Sequence, residues 1–575
     1  MVDLRAKPFY LNEEQLAWVE ETYASMDTLE KVQQLFVQMN YDKREESIKT
    51  KVQTQRQGGL RWPGGDAKST LAQNMNFQKY SKIPLLVAVN CDNGGDGAAP
   101  EGTFIMSAAG AGASGNTETA YNMGYVAAKE AAAIGANWLF NPCADIFMNW
   151  RNTIVNTRAF GDNADDVIAN VRAFIQGAHQ TNIACCCKHF PGDGVEERDQ
   201  HLLLGVNDLS VEEWNNTFRK VYQTMIDEDL ESIMVGHIAL PEMSRHLRPG
   251  IADTDIMPAT LAPELLTDLL RGEMGFNGLV ITDASHMGGF TNVMRRKYAV
   301  PRAIASGCDM FLFVGDADED ISFMYDGVMN GTITEERLSD AVHRILGLKA
   351  KLNLFKPENV FKTEEGLSIM RCPEHVALAE KAADACMTLV KDTQHLLPLG
   401  DAKGKRAKLY YLCSKPESVT WKGDPNKLVV KEELERLGYE VDVADTYYEL
   451  DREEPATAKV KMMSIGKHET FRETYDVVFF VVYMKGYAQE NNVRLGFSCG
   501  HSNEMPWFIH EVPTVGISLN YTNHLIDIPQ IKTYIHAYGP GRTFVRAALE
   551  KAHGIGEFKG TASDTVFCGK WDTRL

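Results

Sequence analysis

Residues 183–202 read IACCCKHFPGDGVEERDQHL, a short apolar run that passes directly into a cluster of ionisable side chains. An apolar run without polar alternation is typical of a strand that is buried on both faces, as in parallel sheets covered by helices. The cluster that follows contains Lys188, His189, His201 and four acidic residues around two glycines and a proline. A solvated surface loop is one interpretation of such a cluster, and a functional loop at the end of a buried strand is the other.

Similar apolar runs recur through the N-terminal half, each separated from the next by a helical stretch. The seven runs are QQLFVQM, PLLVAVN, NWLFNPCADI, IACCCKHF, SIMVGHI, GLVITDA and MFLFV. Segments between them, such as TAYNMGYVAAKEAAAIG, have apolar residues at helical spacing and a glycine at the exit. This alternation predicts a (β/α)8 barrel of the TIM type, with an open doubly wound sheet as the alternative.

The C-terminal part of the sequence repeats the same kind of alternation on a smaller scale. Its apolar runs are KLYYLC, YEVDVAD, YDVVFFVVY, VPTVGISLN and TYIHAY, interleaved with helical segments such as KLVVKEELERLG and TFVRAALEKAHG. We therefore predict a second, three-layer α/β/α sandwich domain. The predicted boundaries are 1–355 for the barrel, 356–385 for a linker and helix, and 386–575 for the sandwich.

Composition excludes several classes of partner. The chain has 59 basic and 78 acidic residues, a net charge of −19, which disfavours nucleic acid and anionic membranes because both require clustered basic residues. The first residues contain no apolar segment of signal-peptide length, and no run approaches the length of a membrane span. The eleven cysteines include no CxxC pair, which predicts free thiols in a cytoplasmic protein. The oligomeric state is left open.

Two further signals are weak. The segment GAGASG, residues 110–115, matches the letters of a dinucleotide fingerprint but lacks an immediately preceding strand and an immediately following helix. His189, Asp199 and His201 do not have the spacing of a zinc motif, and the nearby acids do not have that of a calcium loop. We expect no nucleotide, no metal and no other cofactor, with inorganic phosphate left open as a co-substrate.

Polar side chains stand at the ends of several predicted strands, where a barrel enzyme places its active site. They are Asn90, Asp92, Asp145, Lys188, His189, His237 and Asp283. Retaining cleavage of a glycosidic bond needs a carboxylate nucleophile and a separate proton donor. Asp283 suits the first task, because it ends a buried strand, and His201 suits the second if Asp199 lies beside it.

The sequence resembles glycoside hydrolase family 3, in particular its β-N-acetylglucosaminidase branch, which includes glycoside phosphorylases. The resemblance extends in order over about residues 26 to 355, and the second domain resembles the C-terminal α/β sandwich of that family. The motifs that carry it are MDTLEKVQQLF, NPCADI, NTRAFGDNADDV, KHFPGDG followed by DQH, MVGHIALP, PATLAPELLTDLLRGEMGFNGLVITDASHM and AIASGCDMFLF.

This resemblance implies a role for each matching residue. Asp283 corresponds to the nucleophile, and Asp199 and His201 correspond to an Asp–X–His dyad in which His201 is the acid/base. Lys188, His189 and Arg158 correspond to ligands of the nonreducing sugar. Further candidate substrate ligands are Asp92, in a segment that departs from the usual D-x-E-G-G form, and His237. His286 stands where many members have another residue, so the sugar is left open between N-acetylglucosamine and glucose.

Three functions remain open at this stage. The first is hydrolysis, in which water attacks a glycosyl–Asp283 intermediate. The second is phosphorolysis, which a histidine acid/base permits because a carboxylate in its place would repel an incoming anion. The third is noncatalytic sugar binding, which an intact nucleophile and dyad disfavour. The natural aglycone and the role of the second domain are not indicated by the sequence.

Overall fold

The computed structural model describes residues 1–61, 64–414, 423–450, 455–484 and 489–575. The chain forms two compact units that are interleaved in sequence. The first unit consists of Met1–Ile105, Ala120–Met148 and Arg158–Val376, and the second of Met106–Thr119, Asn149–Thr157 and Ala377–Leu575. In the part of the chain that the structure describes, no helix has the length and apolarity required to span a bilayer.

The first unit contains an eight-stranded parallel sheet that closes on itself. Its strands, β1 to β8 in chain order, are Phe36–Met39, Gly59–Arg61, Leu86–Val89, Trp138–Leu139, Ala184–Phe190, Ser232–Val235, Leu279–Thr282 and Phe311–Leu312. Each strand pairs in parallel with its neighbours in chain order, β8 pairs with β1, and a parallel bridge between Ile281 and Met310 joins β7 to β8. The predicted (β/α)8 barrel is therefore confirmed.

Seven of the eight strands coincide with the seven apolar runs, and β2 is the one that the pattern does not reveal. It has only three residues and begins in a pair of glycines. A Cβ atom on Gly58 would lie 2.0 Å from the backbone oxygen of Gln34, and one on Gly59 would lie 3.0 Å from that of Leu86. The close approach of the neighbouring strands thus requires residues that give no hydrophobic signal.

Helices of the first unit cover the barrel from outside. Several begin at a side-chain cap; Asn163, for example, accepts a hydrogen bond from the backbone nitrogen of Asp166 at 3.0 Å. The helices are Glu13–Ala24, Thr28–Gln34, Glu45–Gln55, Ala67–Tyr80, Thr117–Ala133, Ala164–Ala178, Val211–Trp214, Lys220–Asp227, Pro241–Leu247, Gly288–Thr291, Arg296–Ser306, Ala317–Met329, Glu335–Lys351 and Pro357–Val360, together with the π-helical segments Asn215–Arg219 and Glu264–Glu273.

The second unit contains a six-stranded sheet. Its strands, β9 to β14, are Thr388–Asp392, Arg406–Cys413, Glu440–Val443, Val477–Tyr483, Thr514–Ser518 and Thr533–His536, in the spatial order β9-β14-β13-β12-β10-β11. All pairs are parallel except β9 with β14. The helices are Ala108–Ala113, Pro373–Cys386, Pro425–Leu437, Pro455–Met463, His468–Thr474 and Arg542–Ala552. The predicted α/β sandwich is confirmed, with β9 as an additional antiparallel edge strand.

Two segments from the N-terminal half pack in the second unit, unlike the contiguous division that the sequence predicts. The hydroxyl of Ser107 donates to the backbone oxygen of Tyr538 at 2.9 Å, and that of Tyr521 donates to the backbone oxygen of Thr153 at 2.9 Å. The GAGASG segment, residues 110–115, belongs to the first of these two pieces, and its first four residues lie in the helix Ala108–Ala113. It has no strand before it, so it does not have the geometry of a dinucleotide loop.

Candidate active site

Strand β5 places the side chains of Lys188 and His189 at the carboxyl-terminal mouth of the barrel. His189 is fixed by Asp145, whose carboxylate lies 2.7 Å from Nδ1 and also accepts the backbone nitrogen of His189 at 3.1 Å. The backbone nitrogen of Asp193 donates to the same carboxylate at 2.8 Å. Asp145 therefore orients the imidazole of His189 and ties the start of the following loop to the barrel. The sequence pattern places Asp145 at a strand end but does not indicate this role.

A second group of charges surrounds Asp92 at the end of β3. Arg158 donates to its carboxylate at 3.2 Å, Lys188 lies 3.7 Å away, and the side-chain amide of Asn141 also donates to it. Burial opposes ionisation of Asp92, but the charges of Arg158 and Lys188 outweigh it and hold the pKa of Asp92 well below its usual range. The structure thus brings together three of the predicted sugar ligands in one charged cluster.

Asp283 follows β7 and is aimed at this cluster. Its backbone nitrogen donates to the oxygen of Val235 at 2.8 Å, and its Oδ1 accepts from the nitrogen of Ala284 at 2.7 Å. Its Oδ2 is buried, lies 3.8 Å from Nε2 of His189, and has no hydrogen-bond partner among the described residues. Burial raises the pKa of Asp283, but the charges that His189, His237 and His201 carry when protonated lower it to about 2. An ionised carboxylate with one uncommitted oxygen is what a nucleophile requires.

The loop after β5 carries the predicted dyad. The carboxylate of Asp199 is fully buried; it lies 2.6 Å from Nδ1 of His201 and accepts the backbone nitrogen of His201 at 2.8 Å. Nδ1 therefore carries the hydrogen, and Nε2 is left to exchange a proton. Gly288 donates to the backbone oxygen of His201 at 2.8 Å, and a Cβ on Gly288 would lie 2.0 Å from the oxygen of Leu202. The absence of a side chain there allows the loop to reach the segment after Asp283.

His237 stands beside the nucleophile but is turned into the protein. Its Nε2 donates to the backbone oxygen of Ala284 at 3.0 Å, and its Nδ1 lies 2.9 Å from the hydroxyl of Thr260. Burial lowers the pKa of His237 to about 4, so the ring is neutral near pH 7. Both ring nitrogens are occupied by protein groups, which favours a role in positioning the peptide after Asp283 over the predicted contact with the sugar.

Phe313, His286 and Arg61 form a further wall of the barrel mouth. The ring of His286 stacks on Phe313, with centroids 5.9 Å apart and an angle of 18° between the planes. The guanidinium carbon of Arg61 lies 5.8 Å from the centroid of the Phe313 ring. Arg61 was not among the predicted site residues, because it belongs to the strand β2 that the hydrophobic pattern does not reveal.

One group of potential metal ligands lies within the site. Cys143, Asp145 and His189 offer ligand atoms within 4.8 Å of one another. Burial raises the pKa of Cys143 to about 12, so its thiol stays protonated, and Nδ1 of His189 is already bonded to Asp145. These residues form a poor metal site in this arrangement.

The geometry combines an ionised carboxylate, a separate Asp–His pair in which only the aspartate is fully buried, and a cluster of charged groups in one barrel mouth. Comparison with known proteins agrees, since the model for the glycosyl hydrolase family 3 N terminal domain matches residues 27–348. The chain belongs to glycosyl hydrolase family 3. It is an enzyme of this family, and the predicted resemblance is confirmed.

Two relatives match the family 3 chain over nearly its whole length. A "Beta-N-acetylglucosaminidase/beta-glucosidase" from Cellulomonas fimi is 37% identical over 576 residues, which is 100% of both chains. The solved structure of "Beta-glucoside phosphorylase BglX" is 35% identical, has a TM-score of 0.90 and covers 99% of both chains. A family 3 β-N-acetylglucosaminidase from Paenibacillus sp. str. FPU-7 has a TM-score of 0.74 at 20% identity, over 93% of this chain and 98% of the other, and shows a likeness of fold.

Proposed function

We propose that the protein is a retaining, exo-acting β-glycosidase that removes terminal β-linked N-acetylglucosamine or glucose through a covalent glycosyl–Asp283 intermediate. The observation that carries this proposal is the ionised Asp283 carboxylate, whose uncommitted Oδ2 lies 3.8 Å from His189 in the barrel mouth. The name of the Cellulomonas fimi relative includes both activities and supports this choice of sugars.

In the first step, Oδ2 of Asp283 attacks the anomeric carbon and the bond to the leaving oxygen breaks. His201 gives its Nε2 proton to that oxygen, and buried Asp199 stabilises the imidazolium from which the proton comes. In the second step, an acceptor attacks the same carbon and the electron pair returns to Asp283. Where the acceptor is water, Nε2 of His201 takes its proton.

Sugar recognition is assigned to the cluster around Asp92. The carboxylate of Asp92, held ionised by Arg158 and Lys188, accepts hydrogen bonds from sugar hydroxyls, and the basic groups donate to sugar oxygens. His189 completes the pocket, because Asp145 fixes its ring and leaves Nε2 facing Asp283. We infer that no metal takes part in this chemistry.

A second candidate function is phosphorolysis, in which inorganic phosphate is the acceptor and a sugar 1-phosphate is formed. The observation that favours it is that the proton donor is a histidine and not a carboxylate, so the donor does not repel an incoming anion. The similarity to a β-glucoside phosphorylase over 99% of both chains supports it as well.

We further infer a cytoplasmic location, which is supported by all eleven cysteines being free thiols.

The test uses p-nitrophenyl β-N-acetylglucosaminide and β-glucoside, each with and without phosphate, with identification of the sugar product. We expect turnover of at least one substrate, and we expect a 2-deoxy-2-fluoro glycoside of the preferred sugar to label Asp283. Labelling of another carboxylate, or turnover that persists in Asp283→Ala, would contradict the proposal. Sugar 1-phosphate as product would select phosphorolysis over hydrolysis.

A further inference from the structure

The second unit holds a cavity of about 300 Å³, at the lower limit of the volumes of small-molecule sites. One wall is the face of the sheet on which Lys408 of β10 pairs with Asp442 of β11, and Tyr410, two residues further along β10, lies on the same face. The helices Pro455–Met463 and His468–Thr474 contribute other lining residues. The cavity therefore lies between the sheet and these two helices, and its lining includes none of the residues assigned to catalysis.

A lysine and an aspartate are held in the sheet wall of this cavity. The ammonium of Lys408 lies 3.3 Å from the carboxylate of Asp442. It also lies 5.9 Å from the ring centroid of Tyr410 and 5.6 Å from that of Tyr475. The hydroxyl of Tyr475 donates to the Asp442 carboxylate. These contacts restrict both charged side chains, so the wall presents one positioned hydrogen-bond donor and one positioned acceptor.

The side chain of Asn503 supplies a second hydrogen-bond acceptor to the cavity. Its backbone nitrogen donates to the oxygen of Met462 at 2.6 Å, and its Nδ2 donates to the backbone oxygen of Ser464 at 3.3 Å. Its Oδ1 is buried and has no hydrogen-bond partner among the residues that the structure describes. Because buried polar atoms are almost always paired, this oxygen indicates a bound molecule that donates a hydrogen bond.

Three aromatic rings form the apolar part of the lining. The centroid of Phe471 lies 4.8 Å from that of Tyr475 and 4.8 Å from that of Trp507. All three rings are only half-buried, although they pack against the buried core on this face of the sheet. Trp507 is held further by its Nε1, which donates to the backbone oxygen of Asn503 at 3.2 Å. Aromatic surface combined with a few positioned polar groups is typical of small-molecule sites.

The charges that line the cavity cancel. Besides Lys408 and Asp442, the lining contains Lys461 and Asp445, whose charged groups lie 3.3 Å apart and are exposed. An anionic ligand would be attracted by each lysine but repelled by the aspartate beside it, and a cationic ligand would meet the reverse. The lining therefore favours a neutral ligand whose polar groups both donate and accept hydrogen bonds, as hydroxyl groups do.

We propose that this cavity is a noncatalytic binding site for a neutral pyranose sugar, either free or at the end of a chain. A pyranose ring has a face of C–H groups that can lie on an aromatic ring, and its hydroxyls form a rim that can bond to Lys408, Asp442 and Asn503. This inference does not depend on the covalent intermediate at Asp283. It gives the second unit a role in holding saccharide.

The experiment observes Trp507 directly in the full chain. The eight tryptophans are replaced by 5-fluorotryptophan, and the ¹⁹F resonance of Trp507 is identified by its loss in Trp507→Phe. Glucose, N-acetylglucosamine, sorbitol and inorganic phosphate are titrated separately, to about 0.2 M because ligands of this size bind weakly. We expect a saturable shift of the resonance with at least one of the two sugars. Sorbitol has the hydroxyls without the rigid ring, so neither sorbitol nor phosphate should give a saturable shift.

Two variants test the polar contacts. Asp442→Asn should weaken sugar binding by about tenfold, because it removes the charge from a hydrogen-bonded carboxylate. Asn503→Leu keeps a side chain of similar size, removes the unpaired oxygen, and should also weaken binding. Glu435→Gln is the matched control, because it removes a carboxylate whose partner is Lys431 on the helix Pro425–Leu437, and it should leave binding unchanged. Thermal unfolding verifies that each variant is folded.

The outcomes separate this inference from the proposed function. The absence of a saturable shift with either sugar, or a saturable shift with phosphate in its place, would refute the inference. A sugar-induced shift of full affinity in both Asp442→Asn and Asn503→Leu would also refute it. Asp283→Ala should retain the shift of Trp507, and its loss there would show that the resonance reports on the barrel site. A lack of glycosidase turnover would contradict the proposed function and leave this inference standing.

Discussion

Replacing Asp199 with Asn should reveal how much the buried carboxylate contributes to proton transfer by His201. In the structure, the Asp199 carboxylate lies 2.8 Å from the backbone nitrogen of His201 and 2.6 Å from its Nδ1. The asparagine oxygen can accept the same two hydrogen bonds, so the substitution retains the geometry and removes the charge. Two unit charges about 4 Å apart interact by about 4 kcal/mol at an effective dielectric constant of 20. The retained hydrogen bond offsets part of this loss, and we expect a net cost of about 2–3 kcal/mol, which is roughly 30- to 160-fold in kcat.

The assay compares aryl β-glycosides whose leaving groups differ in acidity. Poor leaving groups need the proton from His201 and should show the full loss, whereas a dinitrophenyl glycoside should be largely spared in its first step. Asp208→Asn, which removes an exposed carboxylate only seven residues beyond His201, is the matched control and should leave both substrates unaffected. An equal loss for good and poor leaving groups, or no loss for either, would refute the assignment of the dyad to proton transfer.

Three further results are expected. The charges of the neighbouring histidines lower the pKa of Asp283 to about 2, so this carboxylate is ionised above that pH. The rate at which a fluoro glycoside with a good leaving group labels the enzyme should therefore show no fall near pH 4. Such a fall would contradict the environment assigned to Asp283. Asp145→Asn weakens the hydrogen bond to Nδ1 of His189, and because that bond involves a charged carboxylate its weakening should lower kcat/KM by about tenfold or more. Asp208→Asn is the control. An unchanged kcat/KM in Asp145→Asn would show that Asp145 does not position His189. Dialysis against a chelator should leave activity unchanged, and a loss restored by one particular metal would disprove the metal-free chemistry.

The barrel was predictable from sequence because most of its strands are buried on both faces and contain uninterrupted apolar residues. Strand β5 is buried along its entire length, from Ala184 to Phe190. Strand β2 was not predictable for the opposite reason, since close approach to its neighbours requires glycine at positions 58 and 59. Arg61 was missed along with that strand, so one wall of the site could not be anticipated.

The interleaving of the two units was likewise beyond the sequence pattern. Residues 106–119 and 149–157 are short pieces between barrel strands, and they join the second unit through contacts with residues several hundred positions away. The hydrogen bond from Tyr521 to Thr153 spans 368 positions. Local periodicity carries no information about such contacts, and a contiguous division is the simplest prediction that it supports.

Residue type and position at a strand end predicted the candidate site, but they did not indicate the role of each histidine within it. His189 and His237 stand at strand ends and His201 lies in the loop after β5, and the neighbours of each ring distinguish the three roles. His237 is buried, with a pKa lowered to about 4 and both nitrogens bonded to protein, so it can hold a peptide but cannot exchange a proton with substrate near pH 7. His201 keeps Nε2 available because Asp199 engages Nδ1, whereas Asp145 fixes His189 so that its Nε2 faces Asp283. Each role follows from the groups bonded to the ring nitrogens. For His189 and His237 these groups are distant in sequence and are determined by tertiary contacts, whereas Asp199 lies two residues before His201 and could be proposed from the sequence.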